Sequence, residues 1–157
     1  MSTYFTSIAC CIDLTEHNDD IIAYTREMAE LTGAKILLVH VLPSAGSFAS
    51  YGASRDLLQK VAAESRAETE KYVKELAAKH FAGLECEPLI LTGTVDAALT
   101  ELVDKSCADL VIMGSLNSTS LFNFSGKTSA RLIGKSRVPV MIIPNDLSLE
   151  CAPEEGF

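Results

Sequence analysis

A segment in the C-terminal third of the chain combines the residue types that bind phosphate. Residues 110–145 contain no Asp or Glu, although the whole chain has 21 of them. The segment contains four cations, Lys127, Arg131, Lys135 and Arg137. It therefore carries +4, and the rest of the chain carries −12 of the total −8. The loop between Gly114 and Gly126 is rich in Ser, Thr and Asn, whose side chains donate hydrogen bonds to anions.

Such a loop, leading into a helix, suits a phosphate group. Backbone N–H groups at a helix N-terminus point at the anion, and glycine lets the backbone approach it closely. Each charge-assisted hydrogen bond contributes about 1.5–3 kcal/mol, and the net-acidic surface is screened beyond ~8 Å. The alternative is a flexible Ser/Asn loop before a helix whose Lys135 and Arg137 only complement its C-terminal dipole. The residue types by themselves favour neither interpretation.

Two common nucleotide motifs are excluded. The loop Asp13–Asn18, after the first apolar run, has no glycine and so cannot be a GxGxxG dinucleotide fingerprint. Gly126-Lys127-Thr128 looks like the end of a P-loop, but that motif requires glycine where Leu121 stands. A standard NAD or FAD site and a P-loop NTPase are both disfavoured.

Short apolar runs alternate with helical patterns and predict the elements that must position this loop. The predicted strands are Ser7–Ile12, Lys35–Val41, Cys86–Leu91, Leu110–Met113 and Val138–Ile143. All but the third are nearly continuous apolar runs, as in parallel strands buried on both faces. The third contains Pro88, which suits an edge strand.

Four helices are predicted between these strands. The first begins at Asn18 or Asp19, runs to about Leu31 and stops at Gly33. The others run from Ser54 to His80, from Thr94 to Ser106 and from Thr128 to Ser136. The inner stripe predicted for the second comprises Leu58, Val61, Ser65, Thr69, Tyr72, Val73, Leu76 and His80. The alternation predicts a doubly wound α/β domain with a parallel sheet.

Size and composition limit the classes of protein. A chain of 157 residues with 48% hydrophobic and 22% charged residues makes one packed domain. We expect this domain at 1–145, followed by an acidic tail at 146–157. A net charge of −8 argues against a nucleic-acid binder, and no apolar run reaches the ~20 residues of a membrane helix. The first residues do not form a signal peptide, so a cytoplasmic location is expected.

The cysteines show no metal-binding spacing. They are Cys10, Cys11, Cys86, Cys107 and Cys151. We expect free, mostly buried thiols that pack as small hydrophobic groups. A redox pair at Cys10 and Cys11 is the alternative, but adjacent strand residues point to opposite faces, which argues against a bridge.

Several of these features together resemble the universal stress protein family over residues 4–145. They are Ile12-Asp13 closing the first strand, His40-Val41 closing the second, Asp109-Leu-Val-Ile-Met-Gly114, the later Gly126, and Val138-Pro-Val-Met-Ile-Ile143. The resemblance implies an adenine nucleotide alpha hydrolase-like fold. In that fold five parallel strands in the order 3-2-1-4-5 have helices on both faces.

The nucleotide-binding branch of the family carries glycine, two residues, glycine, nine residues, then glycine followed by Ser or Thr. Gly114 matches the first glycine, Asn117 stands at the second, and Gly126 matches the third if the loop is one residue shorter. Asn tolerates left-handed conformations, so Asn117 can keep the turn. Lys127 replaces the hydroxyl with an ammonium. A second branch lacks these glycines and does not bind ATP.

The resemblance implies ATP, with or without Mg²⁺, as the ligand. Ile12 and Asp13 would meet the adenosine, the Val41 backbone the adenine, and Met113 and Gly114 the base and ribose. The residues implied for the phosphates are Asn117, Gly126, Lys127, Thr128 and Ser129. The alternative for Asp13 is a loop carboxylate near a helix, and for His40 a strand-end histidine satisfied by its neighbours.

The family also forms dimers through the last strand, Val138–Ile143. An apolar edge strand needs pairing or cover, so antiparallel pairing with a second copy fits; a monomer whose acidic tail covers the edge is the alternative.

These interpretations lead to three candidate functions. The first is a dimeric stress-response module that binds ATP without efficient catalysis. The second is an interaction protein without nucleotide, acting through its dimer surface and the Phe122/Phe124 loop. The third, a slow hydrolase, is disfavoured because the phosphate loop has no carboxylate or histidine to position water.

Overall fold

The protein is described by a computed structural model covering residues 4–13, 18–44, 54–105, 107–114 and 126–144. Five strands alternate with four helices along these residues. The strands are β1 (Ser7–Cys11), β2 (Lys35–Leu42), β3 (Cys86–Thr92), β4 (Leu110–Gly114) and β5 (Val140–Ile143). The helices are α1 (Asp19–Thr32), α2 (Arg55–His80), α3 (Val95–Asp104) and α4 (Gly126–Lys135).

All five strands pair in parallel in the order β3-β2-β1-β4-β5. This confirms the predicted doubly wound α/β fold and its strand order. Ser7 pairs with Lys35 of β2, and Ile8 pairs with Leu110 of β4, so β1 is the central strand. β3 lies at one edge of the sheet, as Pro88 predicted. Proline has no N–H for a hydrogen bond to a neighbouring strand, so it suits a strand that is paired on one side only.

Alternation along the strands divides the core into two layers. Cys11, Val39 and Met113 pack with α3 and α4 on one face. Cys10 and Leu38 pack with α1 and α2 on the other. Cys10 and Cys11 are therefore free thiols on opposite faces, as the strand geometry predicts.

Local sequence signals set most helix ends. α1 follows Asn18 and stops at Gly33, which has a φ of 73° that favours glycine. α2 follows Ser54, whose Oγ accepts a hydrogen bond from the Leu57 N–H. α4 begins at Gly126, two residues before the predicted start at Thr128.

β5 begins at Val140 rather than at the predicted Val138. The Ser136 hydroxyl donates to the Val138 carbonyl at 2.8 Å and accepts from the Val138 N–H at 3.2 Å. The backbone groups of Val138 are thus used in a local turn, and Pro139 has no N–H to offer a ladder.

The inner stripe predicted for α2 is wrong at three of its described positions. Thr69 and Val73 are buried, but Val61 is 56% exposed and Ser65 and Tyr72 are also exposed. The helix has 26 residues and is about 39 Å long, whereas the seven residues of β3 span about 23 Å. The helix is therefore longer than the strand beside it, and within the described residues Val61 near its start is left uncovered. The Leu58 side chain lies outside the described part of the structure.

An aspartate joins the amino ends of β1 and β4. Asp109 Oδ2 accepts hydrogen bonds from the Thr6 N–H at 2.9 Å, the Thr6 hydroxyl at 2.5 Å and the Ser7 N–H at 3.0 Å. The bond from the Thr6 hydroxyl, together with the two N–H bonds, lowers the pKa of the Asp109 carboxyl. These three hydrogen bonds lie at the amino ends of the strands, opposite the carboxyl ends.

Candidate functional site

The carboxyl ends of β1 and β4 form the point where the chain winding reverses. The strand order places β1 and β4 side by side, while α1 leads from β1 to β2 and α4 leads from β4 to β5. Because the two connections leave in opposite directions, a crevice opens between the strand ends, and ligands of open α/β sheets bind there. Gly114 is the last residue of β4, and Asp13 and the start of α4 at Gly126 come after the two strand ends.

The chain leaving β1 is held by four hydrogen bonds. The Ile12 N–H donates to the Val39 carbonyl at 2.9 Å, and His40 Nδ1 lies 3.0 Å from the Ile12 carbonyl oxygen. The Asp13 N–H donates to Asn18 Oδ1 at 3.1 Å, and Asn18 Nδ2 donates to the Asp13 carbonyl. This confirms the alternative for His40, a strand-end histidine satisfied by its neighbours.

The Asp13 side chain differs from the Asp13 backbone, whose N–H and carbonyl groups are both hydrogen-bonded. Its Oδ2 atom is buried and has no hydrogen-bond partner among the described residues. Burying a carboxylate oxygen without a partner is unfavourable by about 1–3 kcal/mol or more. Native proteins satisfy most such atoms, and an exception points to strain, an ion, water or a functional contact.

The hydrophobic members of the predicted site are core residues. The Ile12 and Met113 side chains are fully buried, in the layers beneath α1 and above α3 respectively, and Val41 is also buried. These side chains therefore belong to the core of the sheet. Val39 is level with Cys11 in the β1–β2 register, so Val41 is level with Asp13 by extension.

Gly114 is favoured by packing, whether or not a ligand binds beside it. A Cβ on this residue would lie 3.1 Å from Ile21 Cδ1, in the first turn of α1. The glycine thus lets α1 sit close over the end of β4. Its match to the family pattern does not by itself indicate a ligand.

The phosphate end of the predicted site is described in part. Asn117 lies outside the described residues, and Gly126, Lys127, Thr128 and Ser129 are described as the first turn of α4 without their side chains. That turn has no acidic residue. Arg131 and Lys135 are exposed on the same helix, which favours an anion near it.

Comparison with known proteins decides the family. The sequence profile described as the universal stress protein family matches residues 5–144, most of the chain. The chain belongs to the universal stress protein family. No curated protein matches the sequence at a significant level.

Solved structures agree on the fold. A universal stress protein from Burkholderia pseudomallei has a TM-score of 0.68 and 18% identity, covering 92% of this chain and 99% of its own. A universal stress protein in complex with cAMP has a TM-score of 0.60 and 15% identity, with 92% and 100% covered. One from Archaeoglobus fulgidus in complex with dAMP has a TM-score of 0.58 and 20% identity, with 89% and 98% covered. At these identities the likeness shows the fold alone.

Burial affects three of the thiols of this universal stress protein. Burial raises the pKa of Cys10 to about 12 and that of Cys86 to about 11, and it raises the pKa of Cys11 further still. Cys107 is exposed, contrary to the expectation of burial, because it lies just before β4 rather than within it. Cys151 lies outside the described residues.

Two further results concern metals and membranes. Within the ranges that the structure describes, no group of three or more His, Cys, Asp or Glu side chains is arranged to hold a metal ion. In the same ranges no helix is long and apolar enough to cross a membrane.

Sequence reasoning missed the roles of Asn18 and Asp109. Asn18 was predicted as a helix cap, but no side-chain cap hydrogen bond forms, and its amide binds the Asp13 backbone instead. Asp109 was predicted only as part of a family pattern, but its carboxylate joins the amino ends of β1 and β4 by hydrogen bonds. The Asp109 contacts have no local signal, because their partners lie more than 100 positions away in the chain. The Asn18 contacts span only five positions, but an asparagine before a helix equally predicts a helix cap.

Proposed function

We propose that this universal stress protein binds an adenine nucleotide, ATP in the first instance, in the crevice between β1 and β4. The observation that carries the proposal is the buried Asp13 Oδ2, which has no partner in the described part of the chain and follows the strand at the switch point of the sheet. An ionised carboxylate only accepts hydrogen bonds, and the ribose hydroxyls and the adenine amine are donors. Family members in complex with cAMP and with dAMP support an adenine nucleotide as the class of ligand.

The charges fit a nucleotide lying with its nucleoside toward β1. The carboxylate of Asp13 would meet the nucleoside, which is uncharged, and the cationic α4 segment would meet the phosphates. The proposed phosphate contacts are Asn117, Gly126, Lys127, Thr128 and Ser129, and the proposed base and ribose contacts are Ile12, Val41, Met113 and Gly114. Mg²⁺, if it enters with ATP, would be held mainly by the phosphates, as is usual for this ion.

We further propose that the protein holds the nucleotide rather than hydrolysing it efficiently. Hydrolysis needs a group that positions or activates water at the γ-phosphate. The segment 110–145, which contains all the proposed phosphate contacts, has no Asp, Glu or His. Asp13 would lie at the far, nucleoside end.

The proposed assembly is a homodimer through β5. This strand is an edge of the sheet formed by the described residues, next to β4, and Val140, Met141 and Ile142 are only partly buried. Pairing of two such edges about a twofold axis would remove apolar surface and satisfy free backbone groups. The acidic tail at 146–157, the alternative cover, lies outside the described residues.

Calorimetric titration of nucleotide-free protein with ATP, AMP and inorganic phosphate tests the proposal. We expect saturable binding of ATP that Asp13→Ala weakens about tenfold, the loss of one hydrogen bond to a charged group. Asp20→Ala is the matched control, because Asp20 is an exposed acidic residue nearby in the first turn of α1. A flat titration from a folded dimer would instead favour an interaction protein that works without nucleotide.

A further inference from the structure

We propose that Asn18 and His40 are positioning residues that fix the Asp13 carboxylate for its ligand, an inference that rests on the proposed function. The two side chains come from different elements, the residue before α1 and the end of β2. Both are almost fully buried, at 6% and 7% exposure. Both bind the short segment between β1 and α1.

The two residues hold one peptide group from both sides. The Ile12 carbonyl and the Asp13 N–H belong to the same planar peptide unit. His40 Nδ1 donates to the carbonyl oxygen at 3.0 Å, since a carbonyl can only accept, and Asn18 Oδ1 accepts from the N–H at 3.1 Å. Fixing this plane restricts the rotation that sets the direction of the Asp13 Cα–Cβ bond.

Asn18 also holds the next peptide group. Its Nδ2 donates to the Asp13 carbonyl, so the side-chain amide brackets the backbone of Asp13 on both sides of its Cα. The Cα–Cβ bond of Asp13 therefore projects from a backbone fixed before and after it. The Asp13 Oδ2 atom, which lacks a partner among the described residues, therefore extends from a backbone that is fixed on both sides.

The use of Asn18 departs from its usual role. Asn at the residue before a helix normally accepts from a backbone N–H of the first turn, which contributes about 1 kcal/mol. In α1 no such side-chain bond forms, although the Asn18 carbonyl still accepts from the Ile22 N–H at 2.9 Å. When a residue before a helix does not form the usual capping hydrogen bond, a functional reason is expected.

The first test is a double-mutant cycle on ATP affinity. We expect Asn18→Ala to weaken binding about fivefold in the wild-type background and less than twofold in the Asp13→Ala background. His40→Ala should behave similarly. His40→Asn should restore most of the affinity, because its amide N–H can still donate to the Ile12 carbonyl. Thr69→Ala is the control: it removes a buried hydroxyl bonded at 2.8 Å to the Ser65 carbonyl in α2 and should leave affinity unchanged.

The second test needs no nucleotide. NMR three-bond couplings in the free protein report how many side-chain rotamers Asp13 populates. We expect one rotamer in the wild type and in Thr69→Ala, and averaged couplings in Asn18→Ala. A flat ATP titration with this loss of order would refute the proposed function and keep the positioning role. Unchanged couplings, or an affinity loss equally large with and without Asp13, would overturn the positioning role.

Discussion

Removing the Asp13 carboxylate should make the nucleotide-free protein more stable. An unsatisfied buried polar atom costs about 1–3 kcal/mol, and Asp13 as a whole is only partly buried, so the lower end applies. We expect Asp13→Ala to raise the free energy of unfolding by about 1 kcal/mol. At about 2.1 cal/mol/K per residue, 157 residues give an unfolding entropy near 0.33 kcal/mol/K, so Tm should rise by about 3 °C.

Asp109→Ala is the matched comparison and should have the opposite effect. Its carboxylate accepts three hydrogen bonds, from Thr6 twice and from Ser7, at 2.5–3.0 Å. Such bonds to a charged acceptor contribute about 1.5–3 kcal/mol each when buried, and much less when solvent screens them. We expect a net loss of about 2 kcal/mol, a fall in Tm of about 6 °C.

Thermal unfolding followed by circular dichroism, with and without ATP, measures both effects. At 100 times its Kd, ATP adds about 2.7 kcal/mol to the stability of the wild type. The same ATP concentration is ten times the weaker Kd of Asp13→Ala and adds about 1.4 kcal/mol to its stability. The higher Tm of Asp13→Ala should therefore disappear when nucleotide is present. If Asp13→Ala destabilises the nucleotide-free protein as much as Asp109→Ala does, the carboxylate is satisfied in the free protein and the reasoning is refuted.

Three other predictions follow from the fold. Because the folded pKa of Asp109 lies below its usual 3.8, its stabilising contribution is present above pH 4 and is lost as pH falls through the folded pKa. Denaturant titrations should show that the difference in free energy of unfolding between wild type and Asp109→Asn becomes smaller below pH 4. A difference that stays constant with pH would contradict this prediction. Cys10 and Cys11 should react with a thiol reagent at pH 8 only on unfolding, because burial raises their pKa, whereas Cys107 should react in the native state. Val73→Ala should lower the free energy of unfolding in urea by about 2 kcal/mol, because the Val73 side chain is fully buried. Val61→Ala should lower it by less than about 0.5 kcal/mol, because Val61 is 56% exposed. Equal losses would show that the start of α2 is covered.

The layout of the sheet was predictable because its signals are local and repeated. Buried parallel strands require continuous apolar runs such as Lys35–Val41, and Gly33 can end a helix through its own backbone freedom. The predicted element ends differ from the structure mainly where a short-range contact intervenes, as at Ser136 before β5. The α2 stripe failed for another reason: a 3.6-residue period shows which face is apolar but not whether a neighbour covers it.

The candidate site divides in the same way. The chemical types at the crevice, a carboxylate after β1 and a segment without acidic residues around α4, are properties of the sequence and were predicted from it. What the Asp13 carboxylate does depends on residues 18 and 40, and the use of Asp109 depends on residues more than 100 positions away in the chain. Hydrogen bonds join groups within about 3 Å in space whatever their separation along the chain. Composition and periodicity therefore establish which groups are available, and only the packed sheet establishes which of them are paired and which, like Asp13 Oδ2, are left without a partner among the described residues.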